Sequence, residues 1–319
     1  MKLTIILTVY NKELYLHKVF ASLLNQQGTQ DGDYEVLAVN DGSTDGSAAI
    51  LEEYAQSDAR VRILTQQNQG LSMARNNGVD AAQGDYVWFV DADDAISENS
   101  IAMIVEAMSS QPDVIPIYAV TDGINKTRNQ ITPTVTTGKD VLIDAKWEHC
   151  GVFWIFRKGF LMEKQLKFYP GIYHEDAEFT PRMLYLAEKV KVIPEVLYKV
   201  FHGDEQSITK VPRPKRSYDM VFVVEQLMAF FKVHGENRTA VDRVMCNNNA
   251  GLLNTALYVI SSNNKSEREK FNMYLFEKRH VLKSFIKSPL FKYRLEGILF
   301  RFLPKHYIGV FQFVRKITK

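Results

Sequence analysis

The chain has 319 residues, 46% hydrophobic and 24% charged, which suits a globular protein of one large domain or one and a half ordinary ones. Its formal charge is only +2, and its two cysteines, Cys150 and Cys246, fit no metal or redox spacing; a reducing compartment is the simpler reading, with a disulfide between them left open. There is no run of about 18 uncharged apolar residues and no secretory leader ahead of the first strand-like run, so a cytoplasmic chain without a transmembrane helix is expected.

Strand and helix patterns alternate from the start. Residues 3–9 are a near-continuous apolar strand, and Leu16, Val19, Phe20, Leu23 and Leu24 follow at helical spacing within 12–26. A strand at 34–39 leads through the turn at 41–46 into a helix ending near 57. Strand 61–64, helix 70–82, strand 85–90, a helix at about 98–109 and strand 113–118 continue the series. This order predicts an α/β fold whose mostly parallel central sheet has right-handed crossovers and helices on both faces. Residues 119–137 are polar and read as a loop or an irregular hairpin. A helix at 138–146, a strand at 152–156, a helix at 175–188 and a strand or hairpin arm at 190–201 follow, and from 215 onward nearly everything reads as helix.

Three constellations stand out, two at strand ends and one on the third helix. Asp91-Ala92-Asp93-Asp94 closes the fourth strand, where carboxylates two apart can converge on Mg²⁺ or Mn²⁺, cations that favour oxygen ligands. Open α/β sheets also bind ligands at strand carboxyl ends. The same acids would equally serve as a helix cap near Ser97 and as solvated turn residues. Asn40-Asp41-Gly42-Ser43 closes the second strand; its carboxylate would accept hydrogen bonds from a base or ribose, or from its own turn. Arg75 shares a helical face with Leu71 and Val79, an odd place for a solvated charge, and suits a pair with a carboxylate of the acidic loop or with phosphate.

Four strings in order resemble the family 2 glycosyltransferases of the GT-A fold. Thr8-Val9-Tyr10-Asn11 matches the opening strand and turn, where that family usually has Pro in place of Thr8; Asn40 to Asp45 matches the second strand end. Asn68 to Gly78 matches an Asn-x-Gly-x-Ser-x-Ala-Arg-Asn-x-Gly stretch, and Asp91 to Asp94 matches the metal motif. The resemblance is strong over residues 1–118 and moderate over 119–210. It implies a nucleotide-sugar donor, with a UDP-sugar as the default because uridine is the family's commonest base.

The resemblance also assigns roles. Thr8, Tyr10 and Asn11 would line the base pocket, with Glu13 just beyond, and Asp41 would contact base or ribose. Arg75 and Ala92 would complete the donor site. Asp91 would touch the ribose or a metal-bound water, and Asp93 would ligate Mn²⁺ or Mg²⁺ bridging to the diphosphate. His174-Glu175-Asp176 resembles the family's Glu-Asp motif, making Asp176 the base for the acceptor hydroxyl and Glu175 its polar neighbour in the acceptor site. Acids in a first helical turn are also favoured by the helix dipole, so a structural role stays open. Trp154 would present its ring to a sugar face or pack in the core. His202 would complete the metal shell or be structural. Lys210, Arg213, Lys215 and Arg216 would close over the diphosphate or form a solvated turn.

The domain expectation is a catalytic domain over 1–212, with a nucleotide-binding half at 1–118 and an acceptor half at 119–212, then a helical region at 213–319. Processive relatives carry Gln-x-x-Arg-Trp and transmembrane helices; their absence here points to the addition of one sugar, or a few, to a saccharide or lipid-linked saccharide. Residues 278–319 hold eleven Lys/Arg and one acid, a charge of +10, against 28 basic and 36 acidic residues, or −8, over 1–277. Aromatic residues interleave with this charge, which suits an anionic membrane surface and peripheral placement on the inner face of the plasma membrane; a helical bundle on the catalytic body or a homodimer is the alternative. No recognised nucleic-acid module accompanies the charge. A sugar-1-phosphate nucleotidyltransferase would carry a Gly-rich basic signature where Tyr10-Asn11-Lys12-Glu13 stands, a dehydrogenase would need G-x-G-x-x-G, and a phosphohydrolase would pair its acids at the first strand. A non-catalytic nucleotide-sugar-binding relative would have lost the metal or base carboxylates, and both remain.

Overall fold

The apolar run at the start folds as β1 (Leu3–Val9), buried along nearly its whole length because helices cover both sheet faces. The computed structural model describes residues 1–318 except 123, 145, 202–212 and 236–238. After β1 come α1 (Glu13–Leu24), β2 (Tyr34–Asp41), α2 (Ser47–Ser57), β3 (Val61–Gln66), α3 (Leu71–Ala81) and β4 (Tyr86–Asp91). The four strands pair in parallel in the order β3-β2-β1-β4. The chain thus winds outward through β2 and β3, then returns to the other side of β1 for β4. Such a switch point opens a crevice beyond the strand carboxyl ends, the general ligand site of open α/β sheets. Register fixes what reaches that edge: Thr8 lies beside both Val39 and Asp91, Val9 beside Asn40, and Asp41 beside Gln66.

Two glycines are required by this geometry. Gly42 turns the chain after β2 at φ 70°, and a Cβ there would stand 2.8 Å from the Asn68 amide nitrogen. Gly78 lets α3 press on the sheet; a Cβ would stand 2.5 Å from Ile6 Cγ2.

Beyond β4 the chain forms β5 (Ala95–Ile96), α4 (Ser100–Met108), β6 (Val114–Thr121), β7 (Ile124–Arg128), α5 (Gly138–Asp144), β8 (Trp154–Arg157), α6 (Lys158–Glu163), α7 (Glu175–Leu186) and β9 (Ile193–Val200). The sheet continues as β4-β8-β6-β9-β5, with β7 on β6. β8 is antiparallel to both neighbours, and β6 is parallel to β9. β7 pairs with β6 across a register shift at Val120/Thr121, so the polar stretch after 118 forms an irregular hairpin. The two-residue β5 has no signal in the periodicity.

The remaining helices are α8 (Pro214–His234), α9 (Ala240–Ser261), α10 (Lys265–Glu277), α11 (Lys283–Lys287), α12 (Phe291–Phe302) and α13 (Tyr307–Ile317). Pro214 opens α8, and the Thr239 and Asn264 side chains cap α9 and α10 by accepting from the Asp242 and Glu267 amides. Met220, Val224, Leu253, Leu257, Phe271 and Phe285 are part of their common core. The aromatics of the tail divide: Phe285, Phe300, Tyr307 and Phe311 are core, whereas Phe291, Phe302 and Phe313 are exposed. No helix among the described residues is long and apolar enough to cross a membrane.

The chain divides into two compact units, Met1–Gly171 with Phe179–Gly203, and Ile172–Glu178 with Asp204–Lys319. This division falls ahead of the expected boundary at 212 and takes the segment 172–178 with the C-terminal helices. Polar contacts within the second unit explain the assignment. The Tyr173 amide donates to Asp219 Oδ2 at 2.8 Å, Arg213 Nη1 donates to Tyr173 Oη at 2.9 Å, and Arg216 Nε lies 3.4 Å from His174 Nε2.

Candidate active site

Four strand ends in the first unit bring the acidic motif, the opening turn and α3 together. The Asp91 amide donates to Tyr198 Oη at 3.1 Å, and that hydroxyl donates to Asp94 Oδ2 at 2.8 Å. Asp94 Oδ1 accepts from the Phe201 amide at 2.9 Å, so both oxygens of this buried carboxylate are used to tie the acidic turn to the end of β9. Burial, reinforced by the nearby Asp91 charge, pushes the Asp94 carboxyl up to about 7. Burial also raises Asp91, opposed by the Arg75 guanidinium and helped by Asp93.

Asp93 points elsewhere. Its Oδ2 lies 2.8 Å from Lys12 Nζ, and both side chains are partly exposed. The acidic loop thus separates one structural carboxylate, Asp94, from two that are paired with cationic side chains, Asp91 with Arg75 and Asp93 with Lys12. Among the described residues no cluster of three or more His, Cys, Asp or Glu could hold a metal by itself. Mg²⁺-type sites need none, because such ions are commonly held by one or two carboxylates together with substrate phosphates and water. The Asp93 carboxylate is paired with the Lys12 ammonium, so a divalent ion there would have to displace that charge or share the oxygen with it. His202, the expected third ligand, lies outside the described residues, as does Lys210.

The opening turn is built by side chains that reach across to β2 and α2. Asn11 adopts φ 52°, its amide donates to Ser43 Oγ at 3.1 Å, and its Oδ1 accepts from the Thr44 amide at 2.8 Å. Glu13 Oε2 accepts from the Gly46 amide at 2.6 Å, which satisfies the start of α2. Tyr10 projects about half exposed, and Thr8 ends β1 beside Asp91. Asp41 is buried, and three donors converge on it: Gln66 Nε2 at 2.7 Å and the Gln69 amide at 2.8 Å on Oδ1, and the Gly70 amide at 2.8 Å on Oδ2. About one of its four acceptor positions remains for a ligand.

Arg75 is nearly fully buried on α3. Its Nη2 reaches Asp91 Oδ1 at 3.3 Å, and its guanidinium carbon lies 5.7 Å and 5.3 Å from the ring centres of Phe89 and Phe168. The next residue positions one of those rings: Asn76 Nδ2 donates to the Phe168 carbonyl and Asn76 Oδ1 accepts from the Phe168 amide, each at 2.9 Å. Phe168 in turn stacks on Phe179 at 4.1 Å. The Asn76 clamp had no role in the sequence reading, because its partner lies 92 residues away. Lys12 also went unassigned there, although it stands inside the opening motif.

Trp154 corrects an expectation. It is 0% exposed, because β8 is flanked by β4 and β6, and its indole N–H donates to the Glu148 carbonyl at 3.3 Å. It packs the core and presents no face to a sugar. Of the three tryptophans, Trp147 alone is not fully buried; its ring meets His149 edge-on at 4.9 Å. In the second unit, His174 at φ 63° turns the chain into α7, and its carbonyl accepts from the Ala177 amide at 3.0 Å. Asp176 Oδ1 also accepts from that amide at 2.8 Å, while Glu175 is buried. Arg213, Lys215 and Arg216 are engaged with Tyr173, Asp219 and His174.

The chain matches the family model for glycosyl transferase family 2 over residues 4–165. It is similar to an uncharacterized glycosyltransferase, EpsJ, of Bacillus subtilis strain 168, with 31% identity over 246 residues that cover 73% of this chain and 70% of that one. It is also similar to the poly(ribitol-phosphate) beta-glucosyltransferase of Bacillus spizizenii, at 27% identity over 291 residues, 88% of this chain and 45% of that one. Among solved structures, S. aureus TarS 1–349 in complex with UDP-GlcNAc aligns with a TM-score of 0.80 at 19% identity, covering 99% of this chain and 92% of that one. The Pyrobaculum calidifontis mannosyltransferase PcManGT, in complex with GDP-Man and Mn²⁺, aligns with a TM-score of 0.53 at 14% identity, covering 98% and 86%. These two structural likenesses speak to the fold.

Proposed function

The chain belongs to glycosyltransferase family 2 and is a glycosyltransferase with the α/β GT-A fold, and from that premise we propose that it moves a single sugar, with inversion, from a nucleoside-diphosphate sugar to a hydroxyl of a saccharide or lipid-linked saccharide. The observation that supports this reading is the pair Asp91 and Asp93 at the switch point beside β1, Asp91 paired with Arg75 and Asp93 with Lys12.

The Thr8–Asn11 turn and Asp41 are proposed to take the nucleoside, and UDP is the first choice because TarS was solved with UDP-GlcNAc. Asp41 has one acceptor position to offer a base or ribose and holds the loop wall with the others. Glu13 supports the same pocket indirectly, through the start of α2. Arg75 steadies Asp91 and balances its charge. Asp93, with Asp91 directly or through a water and with His202 as a further candidate, would hold Mn²⁺ or Mg²⁺, which supplies positive charge against the departing diphosphate. On the acceptor side Asp176 is proposed as the base and Glu175 as its polar neighbour. The acceptor oxygen attacks the anomeric carbon, its proton passes to the Asp176 carboxylate, and the bond to the diphosphate oxygen breaks with both electrons leaving on the nucleoside diphosphate. An acceptor carried on a lipid would place the protein at the inner face of the plasma membrane.

Thermal-shift titration with nucleotide sugars in Mn²⁺, Mg²⁺ or EDTA tests the donor reading, since a ligand of the native state raises its melting point. One nucleotide sugar, a UDP-sugar first, is expected to stabilise the protein only when metal is present, and Asp93→Asn is expected to lose that metal-dependent part. A panel that leaves the melting point unchanged with either metal contradicts the proposal.

A further inference from the structure

The C-terminal unit carries a surface whose chemistry the transfer reaction does not use. The one acid within 278–319, Glu296, is buried, with its two carboxylate oxygens accepting from Asn254 Nδ2. Every exposed charged side chain among the described residues of that segment is therefore basic. On α12, Phe291, Ile298 and Phe302 follow one another at intervals of seven and four, which a helix places along one stripe. They are 69%, 49% and 74% exposed, unusual for side chains of this size. Arg294 and Arg301 lie along the same helix, each three residues beyond Phe291 and Ile298, and Lys305 follows its end; all three are exposed. Neither arginine has an ion-pair partner among the described residues.

We propose that this outward face of α12 docks on an anionic lipid surface, with the phenylalanines and Ile298 entering the headgroup region and Arg294, Arg301 and Lys305 pairing with lipid phosphates. Charge complementarity selects this occupant. A second copy meeting the same face about a two-fold axis would bring arginine against arginine. A nucleic acid would answer the charges and leave Ile298 with no apolar partner. Aromatic side chains on a basic helix match an interfacial helix in both respects. The face uses none of the residues assigned to the transfer reaction, so its test stands or falls apart from that chemistry.

The test is co-sedimentation of the full chain with phosphatidylcholine vesicles, with and without phosphatidylglycerol. Binding is expected only with the anionic lipid, and it should weaken as salt rises. Phe291→Ser with Phe302→Ser should lower the vesicle partition about tenfold or more, at an unchanged melting temperature because both side chains are exposed. Arg294→Gln with Arg301→Gln should lower it about fivefold per charge at low salt. Wild-type protein that stays in the supernatant with anionic vesicles, binds neutral vesicles equally well, or binds no better than either double variant overturns the proposal. A dimer that Phe302→Ser dissociates, in a chain that ignores vesicles, overturns it in favour of a second copy.

Discussion

The Lys12 ammonium lies 2.8 Å from Asp93 Oδ2 and joins the turn after β1 to the turn after β4 across the crevice. A divalent ion taking that oxygen must displace or share it with a like charge. Lys12→Ala is therefore expected to bind Mn²⁺ more tightly in the absence of donor, by about fivefold for a partly exposed pair worth up to about 1 kcal/mol. Titration of free Mn²⁺ by electron paramagnetic resonance measures it; equal affinities in both proteins would mean that the ion does not use Asp93.

Asn76→Ala should cost stability out of proportion to its size. The change leaves the buried Phe168 amide and carbonyl without their side-chain partner, at about 2–4 kcal/mol in all. Phe168 is also one of the two rings over which Arg75 sits, so donor turnover should fall in the same variant. Urea denaturation and a turnover assay check both parts. A variant as stable as the parent would show that the clamp is dispensable.

Asp176→Asn separates the base from the donor site. Transfer is expected to fall by about 10²–10⁴-fold, while metal-dependent nucleotide-sugar binding stays at the parental level. Product formation within a few-fold of wild type would remove Asp176 from the role.

Glu296 gives a pH dependence with a definite sign. Burial raises its carboxyl from 4.5 to about 7, so the folded chain keeps a proton that the unfolded chain releases. Its contribution to stability is full below about 4.5 and is lost as pH rises to about 7. The loss amounts to about 3 kcal/mol at most. Glu296→Gln lacks this loss, so its melting temperature should gain on the parent's between pH 5 and pH 8. Parallel melting curves across that range would refute the shift.

The parts of the fold that the sequence made legible are those governed by local periodicity. β1 to β4 and α1 to α3 alternate as expected because each buries an apolar face that neighbours in sequence define. The strand-end motifs were legible for the same reason, since a parallel sheet delivers every strand end to one edge. What stayed hidden depends on distant partners. Trp154 reads equally well as a sugar platform or as core, and only the insertion of β8 between β4 and β6 decides for core. Asp94 looks like its neighbours until Tyr198 and Phe201, more than 100 residues on, take its oxygens. The transfer of 172–178 to the C-terminal unit rests on Asp219, Arg213 and Arg216, whose approach no pattern in the segment announces.

Asp41 shows how such distant ties bear on interpretation. Because its carboxylate fastens both Gln69 and Gly70, replacing it slackens the hinge between β3 and α3 before any nucleoside arrives. A crippled Asp41 variant would thus be a misshapen vessel first and a poor binder second, and the shape of the empty protein is the place to look for the damage.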